Sequence, residues 1–316
     1  NEGMFDYIVV EEASQAFLTT IAAATKVGQK VIVVGDPYQI LPIVKYKKYK
    51  NISKKIDTLV NGLQTIGNIS EIPLGRKVET RRLTNRATEY TNIFYQNTIV
   101  SKSLFENLIE EKTRLHSLSR IIHDNGGATL LLFKKNNKKV IDSFIPFLAK
   151  AIDEISLISD NTIAVLTPLV KKTLVKLQRE LKPKTKTKDY LIDSVDRVQG
   201  LDVDYCFYVI TEENYSFSYN LNRFNVATSR SKKATFILIE KDFYKKSLLL
   251  GHSGNYLKKL LAEFCFEVGK DSFNEATKNL NTETNTNNDN IDNELYDKVY
   301  DYLTCNNIIS EDEYFN

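Results

Sequence analysis

Residues 30–42 read KVIVVGDPYQILP, an unbroken β-branched run that stops at Gly35 and turns through Pro37 into polar residues. An alternating strand would expose one face. A continuous one implies cover on both, the condition met in parallel sheets flanked by helices. Five more runs of this kind recur: DYIVV (6–10), ATLLLF (128–133), TIAVLT (162–167), YCFYVI (205–210) and TFILIE (235–240). Between them lie stretches with helical spacing, QAFLTTIAAATKV (15–27), SFIPFLAKAIDEI (143–155) and LVKKTLVKLQREL (169–181). The alternation predicts an α/β chain of doubly wound parallel sheets. Ligands in such folds collect at the carboxyl ends of strands. Glu11 and Glu12 follow the first run, Gly35 and Asp36 the second, and Thr167 ends the fourth.

At 316 residues the chain has room for two domains, each with its own core, and 42% hydrophobic residues with 16 Phe and 17 Tyr fit a globular protein. A net charge of +3 indicates no partner by itself, so a nucleic-acid footprint must come from local clusters. Residues 43–55, IVKYKKYKNISKK, supply one, with Lys45, Lys47, Lys48 and Lys50 interleaved by Tyr46 and Tyr49. Lysines pair with phosphates and rings stack on unpaired bases; a solvated basic loop reads equally well. KPKTKTKDY (182–190) carries the same two readings. Cys206, Cys265 and Cys305 are odd in number, far apart and outside any C-x-x-C, which argues against a zinc site or disulfide framework and for a reducing, cytoplasmic setting. Cys206, inside YCFYVI, reads as a small buried hydrophobe. No apolar run reaches the 18 or so residues of a membrane span, and no signal-peptide pattern is present.

Five short motifs follow in order: VVEEAS (9–14), VVGDPYQILP (33–42), ETRR (79–82), IDSVDRVQG (192–200) and RFNVATSRS (223–231). Together they resemble motifs II to VI of a superfamily 1 helicase. GDPYQILP is similar to the wording of group 1B, which has RecD-like, Upf-type and nidovirus-type members, with Ile40-Leu41-Pro42 where Leu-Pro-Pro is usual. The resemblance covers about residues 5–245. It implies the end of a first RecA-like domain (1–78) and a second RecA-like domain (79–268). An Asn/Thr-rich flexible linker (269–290) and a short helical tail (291–316) follow, the tail being too short to fold without a protein partner's surface.

The resemblance further implies ATP and Mg²⁺ as cofactors and single-stranded DNA or RNA as partner, with 5′-to-3′ movement. Triphosphate hydrolysis needs a magnesium ion against the β and γ phosphates and a carboxylate near the attacking water. Glu11 takes the magnesium side, where Asp is usual, and Glu12 polarises the water; a solvated acidic turn is the plain alternative. Gly35 and Pro37 shape a turn that leaves Asp36 and Gln39 facing the site, with Gln39 reporting the γ phosphate. Arg230 and Arg82 take the arginine-finger positions and Arg223 the preceding basic position, whereas Arg86 reads as an ordinary surface arginine. Gln199 and Gly200 approach the phosphates, and Ser194, Asp196 and Thr167 touch the nucleic-acid backbone. No G-x-x-x-x-G-K-[ST] loop occurs in the sequence, which opens on Asn1. The expectation is therefore a motor fragment whose phosphate loop lies upstream. The rival is an inactive nucleic-acid-binding or scaffold module, suggested by Glu11 and by the missing loop. A small-molecule kinase or GTPase has no use for the last two motifs.

Overall fold

The apolar runs become strands close to where the sequence places them. In a computed structural model, residues 3–42, 55–69, 71–134, 141–158, 160–168, 172–211, 215–247, 251–269 and 273–275 are described. The basic candidates Lys45, Tyr46 and Lys48 lie outside them, as do the tail and nearly all of the linker.

Strands β1 (Phe5–Val10) and β2 (Gly28–Val33) pair in parallel, and the two-residue strands β3 (Glu79–Thr80) and β4 (Val100–Ser101) form a second small parallel pair. The main sheet is built from β5 (Gly127–Phe133), β6 (Ile163–Thr167), β7 (Leu191–Ser194), β8 (Val203–Val209), β9 (Ser231–Glu240), β10 (Cys265–Val268) and β11 (Phe273–Glu275). Its order is β11-β10-β5-β9-β8-β6-β7. Every pairing is parallel except β10 with the edge strand β11. The doubly wound α/β expectation holds.

Successive side chains of a strand point to opposite faces, and both faces of the main sheet are covered. Leu131, Val165, Phe207 and Leu238 pack beneath Phe144, Leu148 and Ile152 of helix Ile141–Ser156 and Leu177 of helix Lys172–Leu181. Leu130, Ala164, Cys206 and Ile237 point the other way, against Phe94, Phe224 of helix Leu221–Thr228, and Tyr256 and Leu257 of helix Gly251–Glu263. Phe94, Phe224 and Tyr256 meet as a ring cluster, with centroids 5.3–6.2 Å apart. Cys206 is fully buried, as its surroundings in the sequence predict, and burial pushes its thiol up to about 12.

The same reasoning fails for β1 and β2. Ile8, Val10, Val31 and Val33 are half-buried, but Tyr7, Val9, Ile32 and Val34 on the opposite face stand exposed, Val9 at 57%. The register explains it: Val9 sits opposite Ile32 and Ile8 opposite Val31, so one apolar face meets helix Leu18–Val27 and the other stays exposed among the described residues.

Arg86 is a second correction. It is only 9% exposed. Thr84 caps its helix, Asn85–Thr91, by accepting from the Ala87 amide. From the first turn Arg86 donates to the carbonyls of Gly126 (2.8 Å) and Ala128 (2.9 Å) and to the Tyr90 hydroxyl (3.1 Å). Its guanidinium lies 5.0 Å from the ring centres of Tyr90 and Phe264. Gly126 and Gly127, both at positive φ, form the turn whose carbonyl this side chain satisfies.

Candidate functional site

Glu12 stands at the end of β1 with φ 49° and ψ 37°, a left-handed conformation that costs a non-glycine residue about 1–3 kcal/mol and tends to mark functional positions. The strained residue opens a 3₁₀ turn, Ala13–Gln15, and the turn after β2 lies against it. The Ala13 amide donates to the Val34 carbonyl (3.0 Å). Gly35 is required there, since a Cβ would sit 2.8 Å from the Ser14 nitrogen and 3.0 Å from that of Ala13.

Gln199 reaches Glu12 from the larger lobe, the part built on the main sheet, the smaller lobe being that of β1 and β2. Its Nε2 donates to Glu12 Oε2 (2.7 Å) and to Ser14 Oγ (3.1 Å), while its Oε1 accepts from Gln15 Nε2 (2.5 Å). All three contacts agree on one orientation of the amide. Gly200, at φ +83°, carries the chain past Glu12; a Cβ would lie 3.5 Å from Glu12 Oε1. Glu11 remains exposed.

The arginines lie behind this contact. Arg82 pairs with Asp202 and donates to the Ser229 carbonyl (3.3 Å). Arg230 is 1% exposed; its Nε donates to the Val226 carbonyl (2.9 Å) and an Nη to Ser229 Oγ (3.3 Å). Burial, then the neighbouring charge of Arg82, lowers its guanidinium to about 10, partly countered by Asp202 and Glu12. It therefore stays cationic at neutral pH. Arg223 points elsewhere, to Asp196 (2.8 Å) and over the Phe217 ring (4.4 Å).

Asp36 does not face open space. It accepts from the Tyr38 amide (2.9 Å), Gln39 Nε2 (3.1 Å) and the Tyr95 hydroxyl. The Gln39 amide is thus turned onto its own loop, contrary to the expectation that both side chains face the site. Helix Leu221–Thr228 holds the same loop: Asn222 Nδ2 donates to the Gln39 and Pro37 carbonyls (2.5 and 3.3 Å), and Asn225 Nδ2 to the Tyr38 carbonyl (2.9 Å) and Tyr95 hydroxyl (2.8 Å). Asn222 and Asn225 share a face because they are three apart in a helix, which starts where Asn220 accepts from the Arg223 amide.

Two unlike edges meet here. The smaller lobe contributes the carboxyl ends of β1 and β2, as the strand-end rule requires. The larger lobe contributes the region where β8 and β9 begin, with Gln199, Asp202 and Arg230 ahead of those strands. Thr167 and Ser194 do close the carboxyl ends of β6 and β7, but both side chains are fully buried. Neither hydroxyl is open to solvent there. Sequence reading missed Ser14, Gln15, Tyr95, Asn222 and Asn225. Ser14 and Asn225 lie inside quoted motifs; Tyr95 gave no signal beyond being one aromatic among several.

No family model matches the chain. In sequence it is 25% identical over 286 residues to the DNA replication ATP-dependent helicase/nuclease dna2 of Schizosaccharomyces pombe (strain 972 / ATCC 24843). Two solved structures of arterivirus nonstructural protein 10 (helicase), one in complex with DNA, align over 73% and 76% of this chain and 38% and 40% of theirs. Both have a TM-score of 0.38, at 13% and 12% identity. The match to the curated relative takes in 82% of this chain and 20% of that protein, so the chain is similar to a fifth of an ATP-dependent helicase.

Proposed function

We propose that the chain forms part of a nucleic-acid-stimulated ATP hydrolase, a superfamily 1B helicase or translocase moving 5′-to-3′ on a single strand. Residues 1–78 would belong to one motor domain and 79–268 to the next. The observation that carries the reading is the hydrogen bond from Gln199 of one lobe to Glu12 of the other, with Arg230 within electrostatic reach of Glu12 and Arg82 beside Arg230.

The exposed carboxylate of Glu11 suits a magnesium ion, which asks for one or two protein carboxylates plus phosphate oxygens. Bound magnesium neutralises charge on the triphosphate. Glu12, oriented by Gln199, holds the attacking water and takes its proton. Arg230 is a desolvated cation held by Val226 and Ser229, and the lobes would open around it before it meets the γ oxygens. Arg82 adds a second cation from the same side. Closure and opening between the lobes would then follow the nucleotide cycle.

The test is Arg230→Ala in the full-length protein. Stimulated kcat should fall at least ~100-fold while ATP Kd changes less than about tenfold, because a finger acts on the transition state. Arg230→Lys should rescue little, since an ammonium lacks the planar fork. Thermal midpoints of both variants separate lost chemistry from lost packing. Near-normal turnover in a folded Arg230→Ala protein would overturn the assignment. One observation favours the inactive-module reading: Asp202 already pairs with Arg82 and Glu12 with Gln199. Single-strand binding without any stimulated turnover in the full-length protein would decide for it.

A further inference from the structure

Besides the direct bonds from Asn222 and Asn225, the turn after β2 and helix Leu221–Thr228 are joined through a side chain that belongs to neither. Tyr95 lies just beyond helix Asn85–Thr91, its ring edge-on to that of Tyr38 with centroids 5.1 Å apart. Its hydroxyl donates to Asp36 and accepts from Asn225 Nδ2. Asp36 in turn fixes the Tyr38 amide and the Gln39 side chain, and Asn225 lies one residue before Val226, whose carbonyl holds Arg230. We propose that Tyr95 is a positioning residue, a hydrogen-bonded bridge that sets the loop of Asp36 and Gln39 against the helix leading to Arg230. The proposal rests on the reading of this site as an ATP-hydrolysing one.

The chemistry suits a bridge. A phenol can give one hydrogen bond and take another, whereas a carboxylate such as Asp36 only accepts and the Asn225 amide nitrogen only donates. Without the hydroxyl, Asp36 loses one of its three donors and Asn225 Nδ2 keeps only the Tyr38 carbonyl, so the link through the ring is broken. Burial and the Asp36 charge hold the Tyr95 phenol above its ordinary range, so it remains a donor at any physiological pH. The arrangement is also imperfect: Asn225 Oδ1 is buried without a hydrogen-bond partner among the described residues.

Tyr95→Phe, Asn225→Ala and the double variant, made in the full-length protein, test it. Each single change should lower stimulated kcat about tenfold with ATP KM within about threefold, and the double variant should fall no further than the worse single. Additive losses, or retained kcat in both singles, would overturn the bridge. Amide hydrogen exchange, measured without nucleotide, reads the same contact independently of turnover. Exchange at Tyr38 and Gln39 should quicken at least tenfold in Tyr95→Phe while amides of β8 and β9 keep their protection. Unchanged exchange at Tyr38 and Gln39 defeats the inference whatever the enzyme assay gives. If the wild type shows no stimulated turnover yet exchange responds as expected, the ATPase reading fails and the bridge between the lobes stands.

Discussion

The β1–β2 pair and the main sheet are both built from apolar runs and end in opposite conditions. YIVV in β1 and VIV in β2 are as apolar as ATLLLF in β5, yet every residue of β5 is buried while Tyr7, Val9 and Ile32 are exposed. The difference lies in what covers them. The larger sheet has helices on both faces; the smaller has described helices on one. A continuous apolar run therefore records what a strand is suited to, and cover depends on neighbours supplied from elsewhere.

The sharpest way to break this comparison is a truncation in each sheet. Leu131→Ala in β5 should cost about 3 kcal/mol, a transfer loss plus a cavity between two covered faces. Denaturant midpoints measure it, and a loss below about 1 kcal/mol would mean that the main sheet is less tightly packed than it looks. Arg86→Ala should come next, at about 2–3 kcal/mol, because it strips the Gly126 and Ala128 carbonyls of their donor. Arg86→Met would keep much of the stacking over Tyr90 and Phe264, so a full loss there too assigns the effect to the hydrogen bonds. In the smaller lobe, Glu12→Gly should raise stability by up to about 1 kcal/mol, since glycine adopts the left-handed conformation without strain. A thermal midpoint that falls instead would show that the Gln199 contact outweighs the strain. Val9→Ala should be smallest, within about 0.5 kcal/mol, as for other exposed positions. A larger cost would mean that the outer face of β1 is covered in the full-length protein.

Six strands were legible because unbroken apolar runs are an unambiguous local signal, and the three helices between them followed from spacing. The short strands were not. β10 holds four residues, CFEV, directly behind helix Gly251–Glu263, too few to carry a period of their own. Arg86 was misread because arginines are mostly exposed, and nothing local announces that the Gly126–Gly127 turn, some forty residues on, needs a donor. In the site, the residue types of Glu12, Gln199, Arg82 and Arg230 pointed to phosphate chemistry, and the chain does bring them into one region. Their hydrogen bonds were hidden, because Asp36, Tyr95 and Asn225 are joined only by the folded arrangement of three distant segments.

The joint between the lobes pairs the carboxyl edge of one sheet with the amino edge of the other. Such a contact is heterologous, with no twofold axis that could exchange its two sides. A symmetric pair closing around a strand would have no means of telling one end of it from the other. This one is built from unlike surfaces, so a linear polymer lying across both would meet them in one order only.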